Sequence, residues 1–372
     1  MSGWRALREQ AWLAALVIWL PPLLTMLFIA VFSTGVPREL PIGIVDLDHG
    51  AEARALQRQL DASPALDLAF RYPSLPEGVE DLRSGAILAL LVIPSEFSAD
   101  LRRALSPQVT LFYNGQFLLS GKFTASAVAG AVADFSVRQG VALRLAQGQQ
   151  LPNAVVATAP IQPQITPLYN PSMSYTRFLV TAIAPAMWQL LVVIATVLLL
   201  HWRLQAPLPA ATGPRLRALW QALWPVSLLF WGQALLMLGL FRWLIDWTVA
   251  GNVLILAVAL GLLVLAIQSM AALIVALIPD VTRALSICAA YLAPAFAFMG
   301  VSFPRGDMSS LANLWGSLMP STHYIQLQIA VADQAAPWGA LWPSFLALLA
   351  FLLPLPLAIR LLSKRTAARS AT

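Results

Sequence analysis

Residues 115–122 (GQFLLSGK) contain the glycines and the lysine of a loop that could bind phosphate. A nucleotide-binding loop of this kind has four residues between its glycines and a Ser or Thr directly after its lysine, because the hydroxyl binds magnesium. Here five residues separate Gly115 from Gly121, and Phe123 follows Lys122. We therefore predict that this segment does not bind a nucleotide.

Three histidines and one cysteine could in principle bind a metal or act in catalysis. His49, His201 and His323 are far apart and show none of the spacings of known metal sites. Cys288 lies in an apolar segment and has no second cysteine with which to form a disulfide. The sequence also lacks a G-x-S-x-G motif. It predicts no catalytic residue, no metal site and no cofactor in this chain.

Four polar residues within long apolar segments are the other candidates: Gln189, Gln233, Gln268 and Ser269. Ion-coupled transporters usually carry carboxylates or histidines at membrane depth, because a group must change its charge to relay a proton or hold a cation. The apolar segments contain neither Asp nor Glu, which argues against proton coupling. The four residues could contact a transported molecule or form hydrogen bonds between helices, and both interpretations remain open.

The composition shows what kind of protein positions these residues. The chain is 59% hydrophobic and 11% charged, with a mean hydropathy of +0.74. It has too little polar surface for a soluble globule of 372 residues, so we predict an integral membrane protein. The net charge of +6 could indicate nucleic-acid binding, but residues 34–174 hold ten Lys and Arg against twelve Asp and Glu, without a basic stripe. This balance argues against nucleic acid as a partner.

Six apolar segments are each long enough to cross, or nearly cross, a hydrocarbon core of about 30 Å. Their predicted bounds are residues 11–32, 176–200, 220–241, 253–278, 285–303 and 340–362. The first segment resembles a signal peptide, but it is long, contains Pro21-Pro22 and lacks an obvious cleavage site, so we predict that it is retained. The chain then divides into residues 1–33, 34–174 and 175–372.

The short loops predict the orientation. If the N-terminus is cytoplasmic, the cytoplasmic segments carry ten Lys and Arg against two acids, whereas the opposite short loops carry three of each. The positive-inside rule then places both termini in the cytoplasm and residues 34–174 outside.

Residues 34–174 alternate between strand and helix patterns, which predicts a small α/β domain. The predicted strands are residues 41–46, 66–72, 87–93 and 109–113, and the predicted helices are 51–62, 76–83 and 97–105. The apolar strand 87–93 should be central and buried on both faces. A long helix over residues 117–147 and an extended return over 151–171 complete the prediction.

Several features suggest irregular structure near the membrane. Pro185, Pro225 and Pro294 are predicted to interrupt their spans. Residues 308–331 could form re-entrant helices or an amphipathic surface helix.

Two basic segments could lie at the membrane surface. Residues 3–10 could form a short interfacial helix with Trp4 and Leu7 facing lipid. Residues 202–219 form the longest cytoplasmic loop in this topology, and their basic PRLRALW end would suit a short helix that docks on a soluble partner. Retention of positive charge on the cytoplasmic side explains the same arginines.

The layout of one span, a large extracytoplasmic domain and five closely spaced spans resembles the permease subunits of bacterial ABC type-2 exporters, of the drug-exporter kind. Residues 40–66 (LPIGIVDLDHGAEARALQRQLDASPAL), 168–185 (LYNPSMSYTRFLVTAIAP) and 293–336 are similar to segments of that family. One departure is visible. The family commonly continues with Phe-Val-Pro-Gly after its Asn-Pro element, whereas this chain has FLVT at 178–181 and its proline at Pro185.

The resemblance implies a permease subunit in the bacterial inner membrane that forms the export pathway with a second copy or a paralogue. A separate cytoplasmic ABC ATPase would bind ATP and supply the energy, and a periplasmic adaptor protein is a further possible partner. Residues 202–219 would make the main contact with the ATPase and residues 280–284 a smaller one. The implied contact residues are Arg203, Arg215, Arg217, Asp280 and Arg283.

Two other classes of function are weighed against this interpretation. A receptor or scaffold would bind its ligand with the α/β domain and use its spans as an anchor, but five closely spaced spans exceed what an anchor needs. A membrane-bound transferase would need catalytic residues clustered at an interface, and the sequence shows no such cluster.

Overall fold

The computed structural model describes residues 3–33, 38–103, 105–115, 118–158, 174–205, 209 and 212–370. The chain forms two compact units. The inserted unit comprises Val36–Thr166, and the membrane unit comprises Met1–Gly35 together with Pro167–Thr372.

Helices account for most of the described residues. In chain order they are α1 (Gly3–Glu9), α2 (Ala11–Ala14), α3 (Leu20–Val31), α4 (Ala51–Asp61), α5 (Leu75–Ser84), α6 (Phe97–Arg102), α7 (Leu118–Ala146), α8 (Leu151–Thr158), α9 (Tyr175–Arg203), α10 (Thr212–Leu244), α11 (Val253–Leu277), α12 (Val281–Leu292), α13 (Ala295–Phe298), α14 (Ser310–Ser317), α15 (Pro320–Ala332), α16 (Trp338–Ala350) and α17 (Pro354–Ser370). The four strands are β1 (Leu40–Asp46), β2 (Leu66–Tyr72), β3 (Ala89–Ile93) and β4 (Thr110–Tyr113).

The inserted unit is an α/β domain, as the alternating patterns predict. Its strands form one sheet in the order β2-β1-β3-β4, in which β1 pairs in parallel with β2 and β3, and β4 pairs antiparallel with β3. The parallel connections run through α4 and α5, because parallel neighbours need a crossover of this length. The predicted extended return is wrong at its start, since Leu151–Thr158 is the helix α8. The rest of that segment, residues 159–171, lies outside the described residues.

The two inner strands are buried on both faces of the sheet. Successive side chains point to opposite faces, so Ile42, Ile44 and Leu91 join the core shared with α4, α6 and α7. Val45 and Leu90 lie in a smaller cluster on the other face, which α5 covers. Tertiary packing around β1 and β3 therefore confirms the buried central strand.

Six helical segments of the membrane unit are long and apolar enough to cross a membrane: Ala11–Val31, Thr176–Arg203, Arg217–Leu244, Val253–Leu277, Val281–Phe298 and Trp338–Leu362. The predicted number of spans is thus confirmed by length and composition. The helix α11 packs against α9, α10, α12, α15, α16 and α17. Its apolar side chains, including Leu256, Leu260 and Leu263, form the middle of the unit's core.

The first span contains a π-helical turn, Ala15–Trp19, which ends two residues before the first of two consecutive prolines. Pro21 and Pro22 lack the N–H groups that would bond the carbonyls of Val17 and Ile18 in an α-helix. The side-chain amide of Gln233 on α10 donates to both carbonyls. Because a backbone carbonyl at membrane depth needs a donor from the protein, this contact ties the first span to α10.

The helix α9 also contains a proline whose missing hydrogen bond is replaced by one from a glutamine side chain. Pro185 lies inside it without interrupting it, and Pro225 lies likewise inside α10. The prediction that these prolines break their spans is therefore wrong. In α9 the carbonyl that Pro185 leaves without a helical donor is that of Thr181, and the Nε2 atom of Gln328 on α15 donates to it at 2.9 Å.

The last two predicted spans are corrected in detail. The fifth ends at Phe298 instead of residue 303, and it is broken between α12 and α13 at Pro294. The sixth consists of α16 and α17, separated by a turn at residues 351–353. Pro354 cannot donate to the carbonyl of Ala350, which accepts instead from the N–H of Leu353 at 3.0 Å, and the helix ends there.

The segment predicted as either re-entrant or superficial forms a hairpin of α14 and α15. Tyr324, Ile325 and Gln328 on α15 are buried, and α15 packs against α9, α11 and α16. A surface helix would expose one face, so that alternative is wrong for α15. The N–H groups of Ala250 and Gly251 donate to carbonyls at the end of α15, which fixes this end beside the connection between α10 and α11.

Two further expectations change at the ends of helices. The helix α1 forms as predicted, but Leu7 is buried in the core against other helices and does not face lipid. No separate helix exists between Trp202 and Leu219 among the described residues: α9 continues to Arg203, and the PRLRALW sequence forms the first turns of α10.

Candidate functional site

A cavity of 320 Å³ lies at the start of α9, where this helix meets α15 and the connection between α10 and α11. Its lining combines apolar and charged side chains, among them Arg177, Phe178, Thr181, Trp247, Gln328 and Asp333. A concave, largely apolar site with a few polar groups is the usual form of a binding pocket for a small molecule.

The polar side chains that line this cavity make only some of the hydrogen bonds and ion pairs available to them. Gln328 is 3% exposed, and its Nε2 atom donates to Thr181, but its Oε1 atom has no partner among the described residues. The Nε atom of Arg177 donates to the carbonyl of Ile245 at 3.1 Å. Within the described part of the chain, the carboxylate of Asp333 makes neither a hydrogen bond nor an ion pair, and burial raises its pKa to about 6.

Further polar atoms without partners lie on α9, α11 and α15, three helices that pack against one another. Among the described residues these buried atoms include Trp188 Nε1, both amide atoms of Gln189, Gln268 Nε2, Ser269 Oγ, Ser321 Oγ, Thr322 Oγ1 and Tyr324 Oη. Buried polar groups in folded proteins almost always have a partner in the protein or in ordered water. Water or another molecule is therefore expected to reach these helices in some state of the protein.

The four polar residues predicted from the sequence fall into two pairs. Gln233 bonds the first span, and the Oε1 atom of Gln268 accepts from Ser227 Oγ on α10 at 2.8 Å. These two form hydrogen bonds between helices through one amide atom each, while Gln233 Oε1 and Gln268 Nε2 have no partner among the described residues. Gln189 and Ser269 are 0% and 1% exposed and make no side-chain hydrogen bond among the described residues.

A second cavity, of 460 Å³, lies near the other end of α9. Leu200, Trp220, Leu223 and Leu355 line it together with Arg217. Leu200 lies 23 residues after Arg177 on one continuous helix, a separation of about 35 Å at 1.5 Å per residue. The two cavities therefore lie at opposite ends of the bundle. The described residues contain no group of three or more His, Cys, Asp or Glu that could hold a metal ion.

The architecture agrees with a comparison against known families. A family model described as "ABC-2 family transporter protein" matches residues 11–355. The chain belongs to this family. ABC-2 family chains are membrane components of ABC transporters, generally their permease subunits, and are not themselves ATPases. No curated protein matches this ABC-2 chain.

The candidates for contact with an ATPase differ in how this ABC-2 chain presents them. Arg217 and Arg283 are exposed at the starts of α10 and α12. Arg203 is only 5% exposed, so its side chain does not contribute to the exposed surface. Asp280 caps α12, since its Oδ1 atom accepts from the N–H of Arg283 at 2.8 Å. The side chain of Arg215 lies outside the described part of the chain.

Sequence reasoning on this ABC-2 chain did not single out Gln328, Asp333 or the cavity role of Arg177. Gln328 donates to a carbonyl 147 residues earlier in the chain, and no periodicity predicts such a contact. A partial signal existed, because Pro185 must leave the carbonyl of Thr181 without a helical donor.

Proposed function

We propose that this chain is the permease subunit of an ATP-driven exporter and that a separate cytoplasmic ABC ATPase supplies the energy. The observation that carries the proposal is the ABC-2 family match over residues 11–355. The composition of the spans supports it, because none of the six contains Asp or Glu. Energy from a proton or cation gradient would need such groups at membrane depth.

The proposed setting is the bacterial inner membrane, with both termini in the cytoplasm and the inserted unit outside. Six crossings place both termini on one side. The excess of Lys and Arg in the terminal segments and in the loops after α9 and α11 supports the cytoplasmic side. A periplasmic adaptor protein that contacts the inserted unit is compatible with this orientation.

The proposed contact with the ATPase lies at the ends of α9, α10, α11 and α12. Arg217 and Arg283 offer exposed positive charge there, and Arg215 precedes Arg217 by two residues. Asp280 supports the contact indirectly, because it fixes the start of α12. Arg203 is buried, and we therefore assign it to the packing of this end instead of to the contact itself.

The proposed pathway runs beside α9, α11 and α15, and a second copy of the chain or a paralogue completes it. Gln189 and Ser269 are the pathway candidates, since none of their buried side-chain polar atoms has a partner among the described residues. When the helices separate during transport, water or the transported molecule would supply the missing hydrogen bonds. Gln233 and Gln268 already bond neighbouring helices, so we assign them to helix packing.

Charge reversal at Arg215 and Arg217 tests the proposed contact with the ATPase. The double variant Arg215→Glu with Arg217→Glu, reconstituted with the candidate ATPase, should lose at least about tenfold of its transport, because repulsion of about 1.4 kcal/mol in the contact suffices for that change. ATP hydrolysis and the transport of fluorescent dyes are measured in the same vesicles.

Arg242→Glu is the matched control, because Arg242 is an exposed arginine at the opposite end of the same helix. Unchanged coupling in the double variant would remove this contact assignment. Ligand binding by the inserted unit without any ATP-dependent transport would instead favour a receptor or scaffold.

A further inference from the structure

The cavity at the start of α9 contains two opposite charges that do not neutralise each other. Arg177 and Asp333 both line it, yet the described residues contain no ion pair between them. In the described part of the chain, the two terminal guanidinium nitrogens of Arg177 have no partner, whereas its Nε atom is held by Ile245. Two unpaired charges at a partly buried site are costly unless a ligand or water compensates them.

A second acceptor belongs to Gln328, which also lines this cavity. The Oε1 atom of Gln328 is buried and has no partner among the described residues, although the Nε2 atom of the same amide is fixed by Thr181. Because this hydrogen bond fixes the side chain, the free acceptor cannot turn away to solvent. A ligand group with N–H donors would satisfy both Gln328 and Asp333.

Apart from Thr181 and Thr248, the rest of the lining is apolar, with Phe178, Trp247, Ile325 and Ile329 among its side chains. A volume of 320 Å³ is at the lower end of the range for small-molecule pockets. It has room for a compact head group or a small amphiphile, but not for a large folded ligand.

We propose that this cavity binds a zwitterion with an apolar body. The ammonium group of the ligand would donate to Asp333 and to Gln328 Oε1, and its phosphate or carboxylate would accept from the terminal nitrogens of Arg177. A zwitterion satisfies both protein charges, whereas a simple cation or anion leaves one of them unpaired and faces repulsion from the like charge. The inference concerns binding alone and does not depend on the proposed transport function.

A ligand series on the unaltered chain tests the proposal without relying on any variant. The full chain in phosphatidylcholine nanodiscs is titrated with lysophosphatidylethanolamine and phenylalanine as zwitterions. Lysophosphatidylglycerol lacks the ammonium group, and dodecylamine lacks the anion. At least one zwitterion should bind about tenfold more tightly than both singly charged ligands.

The two zwitterions distinguish the source of the ligand. Preference for lysophosphatidylethanolamine would indicate a lipid head group, and preference for phenylalanine would indicate a soluble zwitterion; both outcomes support the chemistry. Equal or tighter binding of either singly charged ligand overturns the proposal, as does the absence of binding by both zwitterions.

Variants then locate the binding. Asp333→Asn and Arg177→Gln should each weaken binding of the preferred zwitterion by about tenfold, because each removes one charge-assisted contact. Asp307→Asn and Arg242→Gln are matched controls, since both residues are exposed and neither lines the cavity. Unchanged binding in both cavity variants, or an equal loss in the controls, would show that the ligand lies elsewhere.

Discussion

The inserted unit and the membrane unit treat buried polar groups in opposite ways. All buried side-chain nitrogen and oxygen atoms found without a partner among the described residues belong to the membrane unit. In the inserted unit, Asp48 accepts from the N–H groups of Ser98 and Gly50 at 3.1 and 3.0 Å and from the Ser98 hydroxyl. Among the described residues, every buried side-chain polar atom found without a partner thus lies in the membrane unit and none in the inserted unit.

Asp48 also shows how the inserted unit uses its own side chains. In parallel sheets, ligands commonly bind beyond the carboxyl ends of the strands, at the point where the strand order reverses. Here Asp48 follows β1, and its carboxylate bonds Ser98 in α6, which follows β3. The chain's own carboxylate therefore holds together the loops that follow the two central strands.

The largest expected effect is the loss of stability when the contact between Asp48 and Ser98 is removed. Asp48→Ala should destabilise the inserted unit by about 3 kcal/mol, because several hydrogen bonds to a charged acceptor are lost together. Hydrogen exchange on the full chain should show faster exchange in the peptides that contain β1 and α6. Glu96→Ala is the control, since Glu96 is exposed and adjacent.

The carboxylate of Asp48 also makes the stability of the inserted unit depend on pH. Burial alone would raise the pKa of Asp48, but the hydrogen bonds from Ser98 and Gly50 and the charge of Arg102 lower it below the ordinary value. The stabilisation is thus present above pH about 4 and is lost as the pH falls through the lowered pKa. An equal pH response of the Asp48→Ala variant would contradict this assignment.

Two buried serines, one in each unit, allow a direct comparison of how much stability a hydroxyl contributes in the two units. Ser98 is 3% exposed and bonds Asp48, whereas Ser269 is 1% exposed and bonds no side chain or carbonyl with its hydroxyl among the described residues. Ser98→Ala should cost about 1.5 kcal/mol, while Ser269→Ala should cost about 0 kcal/mol, because no hydrogen bond is lost. Thermal unfolding of both variants in detergent measures the difference. An equal loss would mean that Ser269 has a structural partner.

A smaller effect is expected for Gln233, one of the few polar side chains that bond successfully across the spans. Gln233→Leu should destabilise the membrane unit by about 1 kcal/mol, the size of hydrogen bonds measured between membrane helices. Faster hydrogen exchange in residues 11–31 would locate the loss at the first span. Gln221→Leu, an exposed glutamine on the same helix, should leave that exchange unchanged.

The smallest effect is expected at Asp333. Burial raises its pKa to about 6, so the charged form destabilises the folded state above this pH, and protonation removes the penalty as the pH falls toward the unfolded value near 4. Because the side chain is partly exposed to solvent, we expect Asp333→Asn to stabilise the protein by less than about 1 kcal/mol at pH 8. The gain should shrink at pH 5. A gain that is the same at both values would contradict the assignment.

The sequence predicts the elements better than it predicts their contacts. Apolar length and strand periodicity were sufficient for six spans and the α/β domain, because they depend on residues near one another in the chain. The break before Pro354 could not be predicted, since Pro185 and Pro225 lack the same donor and yet lie inside continuous helices. The contact of Gln328 with Thr181 could not be predicted either, because it depends on how α15 packs against α9.

The candidate site shows the same limit. The cluster of arginines was visible in the sequence, but the burial of Arg203 depends on the packed bundle. The capping role of Asp280 could have been predicted, because an aspartate three residues before Arg283 at the start of an apolar helix is a common N-cap. Arg177 and Asp333 line one cavity only after α9, α15 and the connection between α10 and α11 have packed together.

Transport by the purified chain in sealed vesicles, with and without its candidate ABC ATPase, shows whether export depends on ATP hydrolysis by a separate subunit. A panel of fluorescent dyes is followed with ATP, without ATP and with an imposed pH gradient. If the chain is an ATP-driven permease, dye moves only when chain, ATPase and ATP are all present. Dye movement by the chain alone in response to the pH gradient would contradict it.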